Sequence, residues 1–221
     1  MKLSARTLQI LKNFTLINKS IAIEPGSTIS TVSANKEILA SATVVEKFTQ
    51  PFAILDLGSL LGVLSLFEDP DIEFETNHLR IANSKESVSI FYTVKELIPT
   101  PPDKEVILKN PEIAFVLPQQ TYSSLIKALN VLQLPSIGVI GDRDVIKLTA
   151  LDAGTKTTNN RYETPVGNTP YEFKIVFNGE HFKLLPEDYE VEITSKGISH
   201  FKGGDVQYWI AANGSQSTFR K

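Results

Sequence analysis

The stretch Ala53–Asp69, AILDLGSLLGVLSLFED, most constrains what this chain can fold into. A short apolar run, Phe52–Leu55, reads as a strand. Asp56 then offers a carboxylate where it can accept from the open N–H groups of a helix start. Leu57, Leu60, Leu61, Leu64 and Phe67 recur at helical spacing on an uncharged segment. Gly58, Gly62 and Ser65 run beside them as a stripe of small residues, and Pro70 stops the element. A strand that feeds a helix with no loop is a compact building unit, and its pattern, though not its letters, occurs four times.

In the first unit, Lys2–Leu3 reads as a short strand and Ser4 as the cap of a helix Ala5–Asn18. Leu8, Ile10, Leu11, Phe14 and Ile17 form its apolar face; Arg6, Gln9, Lys12 and Asn13 form the other, with two cations and no anion. Strands are expected at Ser20–Ile23, Thr28–Ser33 and Ile38–Val44, separated by turns at Glu24–Ser27 and Ala34–Lys36. The second unit is the opening stretch followed by strands Ile72–Thr76, Leu79–Ala82 and Ser87–Tyr92. Thr93–Lys109 then carries Pro99, Pro101 and Pro102 among charges and reads as a semi-rigid connector.

The third unit begins with strand Ile113–Leu117, after which Pro118 suits the first position of a helix Gln119–Leu132. That helix should bury Tyr122, Leu125, Ile126, Leu129 and Leu132 and expose Gln120, Ser123, Ser124, Lys127 and Asn130. Strands Ser136–Ile140, Val145–Ala150 and Asn160–Pro165 follow, with a polar loop at Thr155–Asn160. The fourth unit has strand Tyr171–Asn178 and a short helical turn around Glu180–Leu185 that carries Lys183. A half-buried strand follows, in which Tyr189, Val191 and Ile193 alternate with Glu190, Glu192 and Thr194. Ile198–Lys202 pairs with Val206–Ala212 across Gly203-Gly204-Asp205, and Asn213–Lys221 reads as a loose polar tail. The domains are then 1–92 and 111–221, joined by the connector 93–110.

Several chemistries are excluded or disfavoured. With no cysteine, disulfides and thiolate metal sites are absent. His78, His181 and His200 do not pair at metal-ligand spacing, and His78 falls in an expected turn. The acidic run Glu68, Asp69, Asp71, Glu73, Glu75 lacks the glycine and terminal glutamate of a calcium loop, so a solvated acidic face is the simpler reading. Gly58–Gly62 has no following Lys-Ser/Thr, and no Gly-x-Ser-x-Gly elbow occurs. No catalytic pattern, metal or cofactor is expected. No secretory leader opens the sequence and no apolar run nears membrane-span length, so a soluble, intracellular protein is expected.

The net charge of −3, from 22 basic and 25 acidic residues, argues against a surface coated with positive charge. It allows a basic surface confined to one side. Arg6, Lys12, Lys127 and Lys183 all fall on or near the non-core side of expected helices, amid Gln, Asn and Ser. Such faces suit sequence-blind phosphate contact better than base readout.

Met1–Ser4, Leu11–Phe14 with Ile17-Asn18, and above all Ala53–Asp69 resemble the DNA polymerase sliding clamps of T-even-type bacteriophages, and the likeness persists at Ile81–Tyr92. The second half is similar in pattern more than in letters. The resemblance implies an α+β fold: two similar domains of the DNA-clamp fold, each of two strand–helix–three-strand units, helices inside and sheets outside a homotrimeric ring. It implies a processivity factor, not an enzyme, that encircles double-stranded DNA and tethers the DNA polymerase. A clamp-loader ATPase would load it, and it would serve late-transcription factors as a coactivator in the cytoplasm of an infected bacterium.

By the same resemblance Lys12 and Lys127 are the foremost channel residues, Lys183 the next, and Arg6 rests on its helix position alone. Ser87–Tyr92 of one subunit should approach Asn160–Val166 of the next, with contacts from Ile90, Phe91, Tyr92 and Tyr162. A partner-peptide pocket should lie beneath the connector near Leu39, Val106, Pro186 and Trp209. The competing readings are a trimeric scaffold that binds no DNA and a small metal-dependent hydrolase that uses the acidic run.

Overall fold

A computed structural model describes residues 1–102, 104, 106–155 and 160–220. The chain divides into two compact units, Met1–Asp103 and Lys104–Lys221. In the first unit, helix α1 (Ala5–Phe14) precedes strands β1 (Ile21–Ile23), β2 (Gly26–Val32) and β3 (Ile38–Phe48). Strand β4 (Phe52–Ile54), helix α2 (Leu57–Leu64) and strands β5 (Asp71–Phe74), β6 (His78–Ala82) and β7 (Ser87–Phe91) follow. β4 pairs with β1, β2 with β3, and β5–β6–β7 form an antiparallel sheet.

The second unit opens with strand β8 (Ile113–Leu117) and helix α3 (Gln119–Val131). Strands β9 (Ser136–Asp142), β10 (Val145–Leu151), β11 (Tyr162–Asn168) and β12 (Glu172–Asn178) follow. After a 3₁₀ turn at Gly179–His181 come β13 (Tyr189–Ile193), β14 (Ile198–Lys202), β15 (Val206–Ala211) and β16 (Thr218–Arg220). One sheet has the order β11-β10-β9-β12-β16, and β8, β13, β14 and β15 pair in succession. The strand–helix–three-strand pattern is thus present in all four places, with two abridgements. Lys2–Leu3 forms no strand, although Met1 exchanges backbone hydrogen bonds with Ile72 of β5 (2.7 and 2.8 Å). The fourth helix is reduced to the 3₁₀ turn.

Helices end earlier than apolar spacing alone predicts. α1 stops at Phe14 because Thr15–Asn18 turn back, with Leu16 N and Ile17 N bonded three residues behind. α2 stops at Leu64, where the Ser65 amide and hydroxyl both turn to the Gly62 carbonyl, so Phe67 lies beyond it, half-buried. Pro118 is the cap residue of α3 and not its first helical residue. Ile126 of α3 and Leu132, the residue after its end, are half-buried, while Tyr122, Leu125 and Leu129 are buried. Asn13, expected on the open face of α1, is buried, and His78 begins β6. Of the polar loop Thr155–Asn160, residues 156–159 lie outside the described residues, as do 103 and 105 of the connector.

The tail is not loose. Thr218–Arg220 pairs with Glu172–Lys174, and the Phe219 ring stacks on Phe173 at 6.0 Å. Ser217 Oγ accepts from the Val176 amide (2.9 Å), and the Asn213 amide donates to the Val176 carbonyl (2.7 Å). A polar segment is held here by one aromatic ring and by hydrogen bonds to an edge that would otherwise be open.

α3 ends in a Schellman motif: Gln133 N bonds Asn130 O (3.3 Å), Leu134 N bonds Leu129 O (2.9 Å), and Gln133 has φ +49°. Gln133→Gly should therefore raise the unfolding free energy by about 0.5–1 kcal/mol. Gly141 faces the opposite situation. A Cβ there would lie 2.4 Å from the Phe173 ring, so Gly141→Ala should cost about 1–3 kcal/mol. Denaturant unfolding of the two variants checks both signs.

Candidate nucleic-acid interface

α1 is pinned at its start. Ser4 Oγ accepts from the Thr7 amide (3.2 Å). The buried Glu46 carboxylate, from β3, accepts from Ser4 N and from the Thr7 hydroxyl (2.5 Å). Burial alone would raise this carboxyl, but the Thr7 and Ser4 hydrogen bonds outweigh it and hold it below the usual range. With Ile10, Leu11 and Phe14 buried, the opposite face is set. It carries exposed Gln9 and Lys12 and half-buried Arg6, whose guanidinium donates to Gln9 Oε1 (2.9 Å).

α2 buries Leu57, Leu60 and Leu64 beside Phe48, Phe52, Ile72 and Phe74. Each fully buried leucine contributes about 1.5–3 kcal/mol. Asp56 caps the helix, accepting from Ser59 N (2.9 Å) and Ser59 Oγ (2.7 Å). The Ser59 hydroxyl, then its amide, hold this exposed carboxyl below its ordinary value. Gly58, Ser59, Gly62 and Ser65 are all exposed, and a Cβ at Gly62 would meet no atom within 4 Å. Packing does not require the glycine at Gly62, whereas a Cβ at Gly58 would lie 3.2 Å from Asp56 Oδ1; together the small residues leave a smooth wall whose one charge is the capping Asp56.

α3 is capped from outside, where Asp188 Oδ1 accepts from the Gln119 amide (2.7 Å). The Tyr122 hydroxyl donates to the Phe182 and Leu184 carbonyls (3.0 and 3.1 Å), and burial pushes its pKa up. Gln120, Ser123, Lys127 and Asn130 are exposed. Lys183 is not helical. It lies past the 3₁₀ turn, half-buried, between the two residues whose carbonyls hold Tyr122, so the fold brings it to the flank of α3. Lys12 and Lys127 stand exposed on helices, whereas Arg6 and Lys183 are half-buried and already engaged.

β7 and β11 are edge strands of their sheets. Phe91 is 66% exposed and packs against His78 with the rings tilted at 39° and their centroids 5.4 Å apart. Ile90 is half-buried on the other side of β7. Tyr92 lies just past the strand and packs on Phe52 at 5.8 Å, where burial raises its hydroxyl pKa. Tyr162 opens β11, half-buried, opposite Ala150. Phe91 is therefore the most available of the four residues expected at a subunit contact.

The second unit holds a cavity of about 350 Å³ between Val106–Asn110 with Glu112 and the Thr194–Lys196 turn with Ile198. Glu112 accepts from the Ser195 amide (2.8 Å) and hydroxyl (2.7 Å), which fixes the turn against the end of the connector. Val106 lines this cavity, but Pro186 and Trp209 do not. Trp209 instead stacks on His200 at 4.5 Å, and Leu39 lies on β3 of the first unit. Of the cavity's other apolar residues, Ile107 and Leu108 belong to the connector's Val-Ile-Leu run and Ile198 opens β14. In the acidic run, Glu73 pairs with Arg80 (2.6 Å) and Asp69 with Lys2, and no cluster able to hold a metal ion occurs among the described residues. No helix among them is long and apolar enough to cross a membrane.

Two family models match the chain: one described as DNA polymerase processivity factor over residues 2–95, and one as gp45 sliding clamp, C terminal, over residues 118–214. The sliding clamp of Vibrio phage KVP40 is 30% identical over 218 residues, covering 96% of this chain and 98% of the relative. That of Enterobacteria phage T4 is 26% identical over 228 residues, covering 96% of each. Among solved structures, PCNA from Thermococcus kodakaraensis is similar in fold (TM-score 0.70, 12% identity, 95% and 97% of the two chains). So is A. fulgidus PCNA bound to the C-terminal region of FEN-1 (TM-score 0.67, 10% identity, 93% and 94%).

Because the Glu46 carboxylate has a lower pKa folded than unfolded, its stabilisation is complete above the unfolded value of about 4.3 and is lost as pH falls through the folded value. Glu46→Ala should cost about 1.5–3 kcal/mol at pH 7. The gap between wild type and variant should narrow as pH falls below the unfolded value, as read by urea unfolding in a series from pH 7 downward.

Proposed function

The chain belongs to the sliding clamps, the processivity factors of DNA polymerases, and from that premise we propose that three copies close into a ring around double-stranded DNA. α1, α2 and α3 face the duplex in this reading, and the edge strands β7 and β11 of neighbouring copies meet. The observation that carries it is the character of the helix faces. On an acidic chain, α1 and α3 expose cations at Lys12 and Lys127 and no acid, and α2 is a smooth wall charged only at its capping Asp56. A tether that slides needs weak, sequence-blind phosphate contact, because each neutralised phosphate adds affinity that slows movement. Phe91, exposed on β7, supplies apolar area to a contact small enough to open for loading.

The polymerase, a clamp-loader ATPase and late-transcription factors are the partners proposed, in the cytoplasm of an infected bacterium. The ring itself acts as a tether and not as an enzyme. Their peptides would dock in the cavity lined by Val106, Ile107, Leu108 and Ile198. The FEN-1 segment held by the similar A. fulgidus protein supports docking of that kind.

Loaded onto nicked circular duplex by a cognate loader, the protein should stay bound, and linearising the circle should release it. Equal retention on both forms contradicts the ring. Lys12→Glu with Lys127→Glu should lower the length of DNA copied per binding event severalfold while the assembly keeps its native mass. Unchanged processivity would remove these two lysines from the channel.

A further inference from the structure

Lys19 is a cation that helix periodicity passes over, because it lies on the loop between α1 and β1. It is exposed, and the loop is clamped on both sides of it. Asn18 Nδ2 donates to Val32 O (3.0 Å), and Asn18 Oδ1 accepts from the Ser20 amide and hydroxyl (3.0 Å each). The Lys19 carbonyl accepts from the amide of Leu57, the first residue of α2 (2.7 Å). Its Cα is therefore fixed where the chain leaving α1 meets the start of α2. A position held this firmly presents a charge at lower entropic cost than a free loop does.

The ammonium makes no ion-pair contact among the described residues, though its charge acts through space on Asp56. Asp56 does not need it, since the Ser59 amide and hydroxyl already satisfy that carboxylate. α2 offers no cation of its own from Leu57 to Phe67 and exposes an anion at its start. A phosphate passing over α2 would meet net repulsion without a cation beside Asp56. Lys19 stands at that place.

We propose that Lys19 is a further DNA-contact residue, giving the start of α2 the positive charge that the helix lacks; the inference rests on the reading that α1, α2 and α3 face the duplex. A role limited to balancing Asp56 would give Lys19 no phosphate to neutralise, so the two roles part in a salt titration.

The test is equilibrium binding of the full chain to a short blunt-ended duplex at several salt concentrations. Lys19→Ala should lower the slope of log affinity against log salt by about 1 for each chain that contacts a phosphate. The same reduction should persist in an Asp56→Asn background, where the cap remains and the anion is gone. Lys47→Ala should leave the slope unchanged, since Lys47 is exposed on the face of β3 opposite buried Glu46. A wild-type slope for Lys19→Ala beside a lowered slope for Lys12→Ala overturns the proposal and spares the reading beneath it. Loss of the effect in the Asp56→Asn background overturns it too, by confining Lys19 to Asp56. If the wild-type chain shows no salt-dependent binding, the reading of the helix faces fails, and the proposal with it.

Discussion

Burial of the α2 leucines against the phenylalanine cluster of the first unit is the interaction on which the rest depends. β4 ends at Ile54 and α2 begins at Leu57, so the helix has almost no freedom in how it leaves the sheet. Once Leu57, Leu60 and Leu64 are sunk beside Phe48, Phe52 and Phe74, the outward face follows by geometry as Gly58, Ser59, Gly62 and Ser65. α1 and α3 are oriented in the same way, with a polar tie added at each. Glu46 reaches across from β3 to the start of α1, and Asp188 reaches the start of α3. Carboxylates at helix N-termini are favoured by the local dipole as well as by hydrogen bonds.

These orientations decide the electrostatics. Of the 22 basic residues only Arg6, Lys12 and Lys127 lie on α1–α3. Lys12 and Lys127 stand exposed on α1 and α3, which carry no acid of their own, while exposed strand positions carry both signs, such as Lys47 on β3 and Lys202 on β14 beside Glu73 on β5 and Glu190 and Glu192 on β13. A protein that grips 6–10 phosphates loses roughly 10³–10⁵ in affinity between 50 and 200 mM salt. A clamp held by its topology has no need of such a grip, and a surface this lightly charged does not supply one.

Much of this could be read in the residues, for reasons that are local. Strand alternation, the caps Ser4 and Asp56, and the leucine spacing of α2 are short-range properties, and β8 and β14 match their expected limits residue for residue. What escaped depends on distant partners. Glu46 lies past the expected strand end at Val44, and nothing marks it until β3 runs on to Phe48 and Ser4 and Thr7, some forty positions away, close on it. β16 hides in a polar tail because its hold comes from Phe173 and Val176 in another strand. Lys183 appeared helical, yet Tyr122 fastens the carbonyls on either side of it and leaves no room for a further turn. The cavity beside Ile107 and Ile198 joins segments some ninety positions apart, which Glu112 ties together through Ser195.

In the proposed ring, DNA is held by enclosure and the helix faces touch phosphates only lightly. One-dimensional diffusion of single loaded molecules on end-blocked duplex tests it most directly. The account predicts residence times that barely change between 50 and 200 mM salt, together with rapid diffusion at both. Residence that collapses across that range, as it does for a protein gripping many phosphates, would contradict it.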